Sequence, residues 1–230
     1  MTLFSGAAAE FWMRWFHYFF GILWIGHLFY FNFSQTPFMA ETDAPTKSQI
    51  MQKLQPKTMF WFRWGAMFTF LTGFAIIGHK MGQGVPSTSA WATIIFSGGI
   101  LGILMFLNVW LVIWPNNKQM IENAVKVAKG DQPVPGVAEL AARASIASRT
   151  NTLFTVPMLF FMAAASHLPI ALSPDKSLVP YWCTFSIVVG LIELNAIKGK
   201  MGPLQKLGMT IHFGLLLTLA LYFAMEFLAG

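Results

Sequence analysis

Long apolar runs alternate with shorter polar segments along the chain. A helix that crosses a bilayer needs about 20 mostly apolar residues, and six runs approach or exceed that length. They are Phe11–Phe33, Phe60–His79, Ala90–Trp114, Asn151–Leu168, Pro180–Ile197 and Gln205–Leu228. The pattern predicts an all-α fold: a polytopic transmembrane helix bundle of about six spans, in which residues 1–230 form a single integral membrane domain.

The fourth span is the shortest of the six, and its flanks modify the picture. The Ala-rich segment Val137–Ser148 favours helix, so the span is expected to extend backwards. Pro157 lies inside this span and is expected to kink it. The two long connections are Ser34–Met59, which is polar and holds three prolines, and Pro115–Thr150, in which an amphipathic stretch ends at the breaker Gly-Asp-Gln-Pro.

Composition supports a membrane protein. The chain is 56% hydrophobic and 10% charged, whereas soluble domains carry roughly 25% charged residues. It contains 23 Phe and 9 Trp, rings that suit lipid and its interface. The basic residues lie in short loops between apolar runs, a pattern of membrane orientation that excludes a nucleic-acid partner.

Lys and Arg are distributed unevenly between the two sides of the predicted bundle. The first, third and fifth loops hold eleven of the fifteen basic residues, namely Lys47, Lys53, Lys57, Lys118, Lys126, Lys129, Arg143, Arg149, Lys198, Lys200 and Lys206. The second and fourth loops hold only Lys80 and Lys176. The positive-inside rule puts the odd loops in the cytoplasm. Both termini are therefore expected to be extracytoplasmic, in a multi-pass protein of the bacterial inner membrane surrounded by lipid.

Candidate cofactor chemistry rests on histidine, because Cys183 is the only cysteine and excludes an internal disulfide, an iron–sulfur cluster and a covalent c-type haem. All five histidines fall within a predicted span or at its edge, where polar groups are expensive. Depth sorts them into an outer layer of His17, His79 and His167 and an inner layer of His27 and His212. The two inner histidines each lie roughly 9–10 Å from the inner edge.

Two histidines at equal depth on different helices would grip a haem from both faces. We therefore predict one or two b-type haems, with His27 and His212 as the inner pair and His17 and His167 as the outer pair. His79 is a reserve ligand. Arg14, on the same helix face as His17, and Arg149, near the inner surface, are predicted to bind haem propionates.

Other interpretations of these residues stay open. Imidazole also suits copper or zinc, and an intramembrane histidine often serves only in packing. His79 and His167, at helix ends, also suit interfacial capping. Glu193 lies within the fifth span, where it would either join a proton path or pair with Lys198 or a nearby amide.

Three stretches carry a family resemblance. They are Trp15–Phe33 (WFHYFFGILWIGHLFYFNF), Leu107–Gln119 (LNVWLVIWPNNKQ) and Ser148–His167 (SRTNTLFTVPMLFFMAAASH). Together they resemble the N-terminal membrane domain of the PuuD-type urate hydroxylases, also called the urate oxidase N-terminal domain. The resemblance implies a membrane-bound urate hydroxylase with a C-terminal cytochrome c domain, and it matches His17 and His167 to family histidines.

The sequence contains no Cys-x-x-Cys-His motif. A separate c-type cytochrome or a larger respiratory complex is therefore expected to accept the electrons. The favoured hypothesis is a cytochrome b-like electron-transfer subunit, part of a urate-oxidising or other oxidoreductase, with catalytic residues that the sequence does not identify. The alternatives are a haem-free accessory subunit of a respiratory complex and, least favoured, a transporter, since the spans show no inverted repeat.

Overall fold

The computed structural model describes residues 8–230, which are helical apart from short connections. The α-helices are α1 (Ala9–Phe29), α2 (Thr36–Glu41), α3 (Ala44–Gln49), α4 (Gln55–Gly82), α5 (Ala90–Leu107), α6 (Trp114–Ala128), α7 (Val137–His167), α8 (Val179–Lys198) and α9 (Leu207–Ala229). A short 3-10 turn, Gly202–Gln205, precedes α9. These described residues contain no strand, so the predicted all-α fold is confirmed.

Three π-helical turns join helices without a break: π1 (Tyr30–Gln35), π2 (Ile50–Leu54) and π3 (Asn108–Ile113). Through π3, the predicted third span continues directly into the amphipathic α6.

The polar connection Ser34–Met59, predicted as a loop, is instead mostly helical and bends only around Thr42 and Asp43. Its three prolines fall in the first turns of α2, α3 and α4. Only α3 follows a break in the helix, so only at Pro45 is the missing N–H one that a helix start leaves unbonded. Asp43 caps α3 by accepting a hydrogen bond from the Thr46 amide.

The long helix α7 is the centre of the bundle and packs against α5, α6, α8 and α9. It begins at Val137, directly after Gly136 in a left-handed conformation, and continues for 31 residues. The helix of the predicted fourth span therefore extends backwards, as the Ala-rich segment predicts. Pro157 lies inside the helix, which does not end there. The helix α1 packs mainly on α4, to one side of this centre.

Three helix crossings are close enough to require glycine. A Cβ at Gly65 would lie 3.0 Å from the Trp24 backbone nitrogen, where α4 meets α1. One at Gly98 would lie 3.2 Å from the Met158 carbonyl, where α5 meets α7, and one at Gly214 would lie 2.9 Å from the Leu153 carbonyl, where α9 meets α7. Small residues let membrane helices approach in this way.

Four helical stretches of the described chain are long and apolar enough to cross a membrane: Ala44–Gly82, Ala90–Val127, Val179–Lys198 and Leu207–Ala229. Large apolar side chains are exposed on the bundle surface, including Ile22, Leu111 and Phe227, as expected where lipid replaces water. The chain is thus a helical membrane protein. The count of six spans, with α1 and α7 included, and the extracytoplasmic position of the termini stay predictions.

Candidate functional site

A cavity of ≈ 850 Å³ lies between α1, α4, α5 and α7. Its wall is almost entirely apolar and includes Ile25, Phe70, Phe96 and Met162. Glycines on three of the helices, among them Gly21, Gly73 and Gly102, also line it. Where a side chain is missing, a flat ligand is able to lie against the helix backbone.

Within residues 8–230, His17 is the one histidine that lines this cavity. Its Nδ1 lies 3.1 Å from Thr72 Oγ1 on α4. The single hydroxyl proton of Thr72 points to the Phe68 carbonyl, 2.6 Å away, so Nδ1 carries the hydrogen and donates it to Thr72. This bond fixes the tautomer and leaves Nε2 with a lone pair, as in histidines that bind metals.

Charged side chains gather at the predicted extracytoplasmic end of the cavity. Arg14 lines the cavity and pairs with Glu10 at 2.6 Å. Lys80, from the end of α4, reaches the other oxygen of Glu10 at 3.0 Å. Arg14 Nε is buried and has no hydrogen-bond partner among the described residues. Arg14 Nε is therefore a hydrogen-bond donor without a partner among these residues, beside the same cavity that His17 lines.

The two inner histidines share a local geometry and lie in different surroundings. His27 Nδ1 bonds to the Leu23 carbonyl and His212 Nδ1 to the Gly208 carbonyl, each at 2.7 Å, which leaves Nε2 free. His27 lines a second cavity of ≈ 420 Å³ with Leu54 and other residues of α1, π1, π2 and α4, and no described residue of α9 lines it. His212 is exposed on α9, which packs on α7 and α8. That His27 and His212 bind one haem as a pair of axial ligands stays a prediction.

The remaining two histidines lie at helix ends. His79 Nε2 is 3.0 Å from Gln83 Nε2; an amide nitrogen can only donate, so this imidazole nitrogen accepts the hydrogen bond and is occupied. His167 ends α7 and is exposed, one residue after Ser166, which lines the large cavity. The structure thus brings Ser166 rather than His167 to the cavity of His17.

A layer of buried amides lies around the first half of α7, whereas the large cavity lies beside the second half. Asn32 donates to Ser148 at 2.8 Å, Gln35 bonds to Gln55, and Gln55 donates to Asn117 at 2.9 Å. Asn108 donates to both Asn151 and Glu193, at 3.0 and 3.1 Å. Glu193 therefore pairs with an amide, which is one of the alternatives that the sequence analysis left open. Sequence reasoning missed the rest of this layer, although amides inside apolar helices were its signal.

Two further arginines differ in their surroundings. Arg63 stacks on Trp114, with its guanidinium carbon 3.9 Å from the ring centroid. Arg149 is 8% exposed, and its Nη1 has no hydrogen-bond partner among residues 8–230. In that same part of the chain, no group of three or more His, Cys, Asp or Glu residues forms a copper or zinc site.

Comparison with known proteins gives one match. The family model described as "Urate oxidase N-terminal" matches residues 85–221, from the turn after α4 to late α9. The matched segment includes Arg149, His167 and His212, whereas His17 and Arg14 precede it. Neither the curated proteins nor the solved structures contain a match. Since the family model covers more than half of the chain, the protein belongs to the urate oxidase N-terminal family.

Proposed function

We propose that the protein is a membrane-bound, cytochrome b-like electron-transfer subunit that holds b-type haem in the large cavity, with His17 as an axial ligand. The observation that carries the proposal is the fixed imidazole of His17, which presents a lone pair on Nε2 beside an apolar cavity. When bound, the haem supplies one-electron redox chemistry. Membership of the urate oxidase N-terminal family supports a role in a urate-hydroxylase-like system.

The residues around the cavity fit this cofactor. Its volume falls within the range of about 300–1,000 Å³ typical of cofactor sites. The apolar wall would exclude water from the macrocycle, and the glycines of α1, α4 and α5 leave room for its flat face. Arg14, with its unpartnered Nε, would bind a propionate.

The electron acceptor is proposed to be a separate periplasmic c-type cytochrome or a respiratory complex, with the protein in the bacterial inner membrane. Arg14 and Lys80 lie at the end of the bundle that the loop charges predict to be extracytoplasmic. Charge at that end would orient an encounter with a soluble carrier. A second haem on the inner pair, His27 and His212, belongs to the same proposal.

Haem per protein, measured on the purified full chain by pyridine haemochrome, tests the proposal together with reduced-minus-oxidised spectra. The parent protein is expected to show a b-type spectrum. His17→Ala should lose the haem of the large cavity, whereas His79→Ala should keep it, because the His79 imidazole already bonds to Gln83. His27→Ala and His212→Ala should each remove the second haem and leave the first.

A folded parent protein that is free of haem and unable to take it up would support the accessory-subunit alternative instead. A His17→Ala variant with full haem content would remove His17 from the ligand set. If His167→Ala loses the same haem as His17→Ala, the outer pair predicted from sequence is correct.

A further inference from the structure

Arg149 is an anomaly that the proposed haem site does not use. Arg149 is 8% exposed and lies near the middle of α7, and its Nη1 is buried without a hydrogen-bond partner among residues 8–230. We infer that Arg149 binds the phosphate group of a ligand at the predicted cytoplasmic end of the bundle. This inference is independent of haem binding at His17.

The physical reason is the cost of an uncompensated charge. A guanidinium cannot lose its proton in a protein, so burial does not neutralise it as it neutralises a lysine. Two other arginines each have a partner for the guanidinium: Arg14 pairs with Glu10, and Arg63 stacks on Trp114, although the Nε atoms of both also lack a hydrogen bond among residues 8–230. Glu193, a half-buried acid, accepts a hydrogen bond from Asn108 and forms no ion pair with Arg149 among residues 8–230. An anion from outside the described chain would supply the partner that Arg149 Nη1 lacks.

Polar residues flank Arg149 along α7. Ser148, just before it, accepts from Asn32, and Asn151, two residues later, accepts from Asn108. Thr150 Oγ1, on the adjacent residue, is buried and also lacks a hydrogen-bond partner among residues 8–230. Asn32 and Asn108 both belong to π-helical turns, π1 and π3, which frequently occur at functional sites.

The position of Arg149 separates it from the haem cavity. The α7 residues that line the cavity lie between Met158 and Ser166. At 1.5 Å per residue, Arg149 is about 14 Å from the first of them and about 26 Å from the last. A propionate of a haem bound near His17 is thus a poor partner for it.

The depth of Arg149 favours a phosphate. It lies two residues before the predicted start of the fourth span, at the inner boundary of the hydrocarbon layer, where lipid phosphates lie. The planar guanidinium binds phosphate through two parallel hydrogen bonds. Two sources share this chemistry, the headgroup of an anionic lipid and free phosphate.

The test measures thermal unfolding of the full chain in a phosphate-free maltoside detergent, with phosphatidylglycerol or sodium phosphate added against a sodium chloride control. Without phosphate, Arg149→Gln should unfold at a higher temperature than the parent, because the substitution removes an unpaired buried charge. With phosphate groups added, the order should reverse, and the parent should bind them at least about tenfold more tightly. Arg149→Lys should give an intermediate response.

Arg143→Gln is the matched control, since it removes the same charge from an exposed position of α7; it should follow the parent throughout. A response to phosphatidylglycerol alone identifies lipid as the source, and a response to both identifies phosphate itself. Native mass spectrometry detects phospholipid that stays bound through purification. Phospholipid that is present on the parent and absent from Arg149→Gln counts as bound at Arg149. A parent with no retained lipid and no response to either addition overturns the inference.

Discussion

The imidazole of His17 is oriented by residues of another helix. Thr72 accepts the Nδ1 hydrogen, and Gly73 leaves room for the ring, since a Cβ there would lie 3.2 Å from His17 Cε1. Both residues belong to α4. The ligand nitrogen of His17 is therefore set by the packing of α1 on α4, and changes on α4 should alter it without touching the histidine itself.

Gly73→Ala should lower haem occupancy or shift the absorption bands, because the added methyl group displaces the His17 ring. Haem per protein and the reduced-minus-oxidised spectrum measure the effect. Gly78→Ala is the matched control on the same helix, since a methyl group added there would have no neighbour within 4 Å. A Gly73→Ala variant with unchanged haem content and spectrum would show that the ring has freedom the structure does not indicate.

At the scale of helices, backbone contact replaces the hydrophobic effect as the source of specificity. Lipid tails are as apolar as the side chains, so helix association depends on close packing and on interhelical hydrogen bonds. Gly65, Gly98 and Gly214 allow the close packing, at the three crossings described above. The amides of π1, π3 and α7 form the interhelical hydrogen bonds.

Gly214→Ala should destabilise the bundle by about 1–3 kcal/mol, the usual range for overpacking. Its methyl group would lie 2.9 Å from the Leu153 carbonyl and 2.7 Å from Val156 Cγ2, at the contact of α9 with α7. Unfolding in a detergent of graded denaturing strength measures the change. Gly208→Ala, on the same helix with no neighbour within 4 Å, should be neutral or stabilising by up to about 1 kcal/mol.

The ion pairs of Glu10 make the contact of α1 with α4 dependent on pH. The hydrogen bond from Lys80 holds the pKa of Glu10 below its ordinary value of 4.5, against the opposing effect of burial, and Arg14 lowers it further. A depressed pKa means that the stabilisation is complete above pH 4.5 and is lost as the pH falls through the pKa of the folded state.

Glu10→Gln should therefore lower the unfolding temperature at neutral pH, and the difference from the parent should disappear at acid pH. Glu122→Gln is the control, because Glu122 pairs with Lys118 only at 3.9 Å on the exposed face of α6, where ion pairs stabilise little. An unfolding difference for Glu10→Gln that stays constant with pH would contradict the assignment to ionisation.

The whole molecule is asymmetric in charge across the predicted membrane. Basic residues concentrate in the first, third and fifth connections, which the positive-inside rule predicts to lie on one side of the membrane. The helix α7, at about 46 Å, is longer than the hydrocarbon core of about 30 Å. Its basic first half, with Arg143, therefore extends towards the predicted cytoplasmic side.

An alkaline phosphatase fused after Gly230 should be active, and a green fluorescent protein fused there should not fluoresce. The reason is that six spans and the positive-inside rule place that residue outside the cytoplasm. Fusions at Gly130, in the connection between α6 and α7, should give the opposite pattern. A fluorescent fusion after Gly230 would mean that the number of spans is odd.

The sequence by itself determined the all-α fold, the apolar helices, the family and the features that are local along one helix. The start of α7 in the Ala-rich segment and the common helix face of Arg14 and His17 are of this kind, since helical geometry fixes which residues share a face. The tertiary structure alone decided the cavity, the tautomer of His17, the position of His27 and His212 in different surroundings and the burial of Arg149. The reason is that lipid-facing and core-facing sides of these helices are both apolar, so the sequence pattern encodes where a helix runs but hardly how it is rotated or which neighbour it contacts.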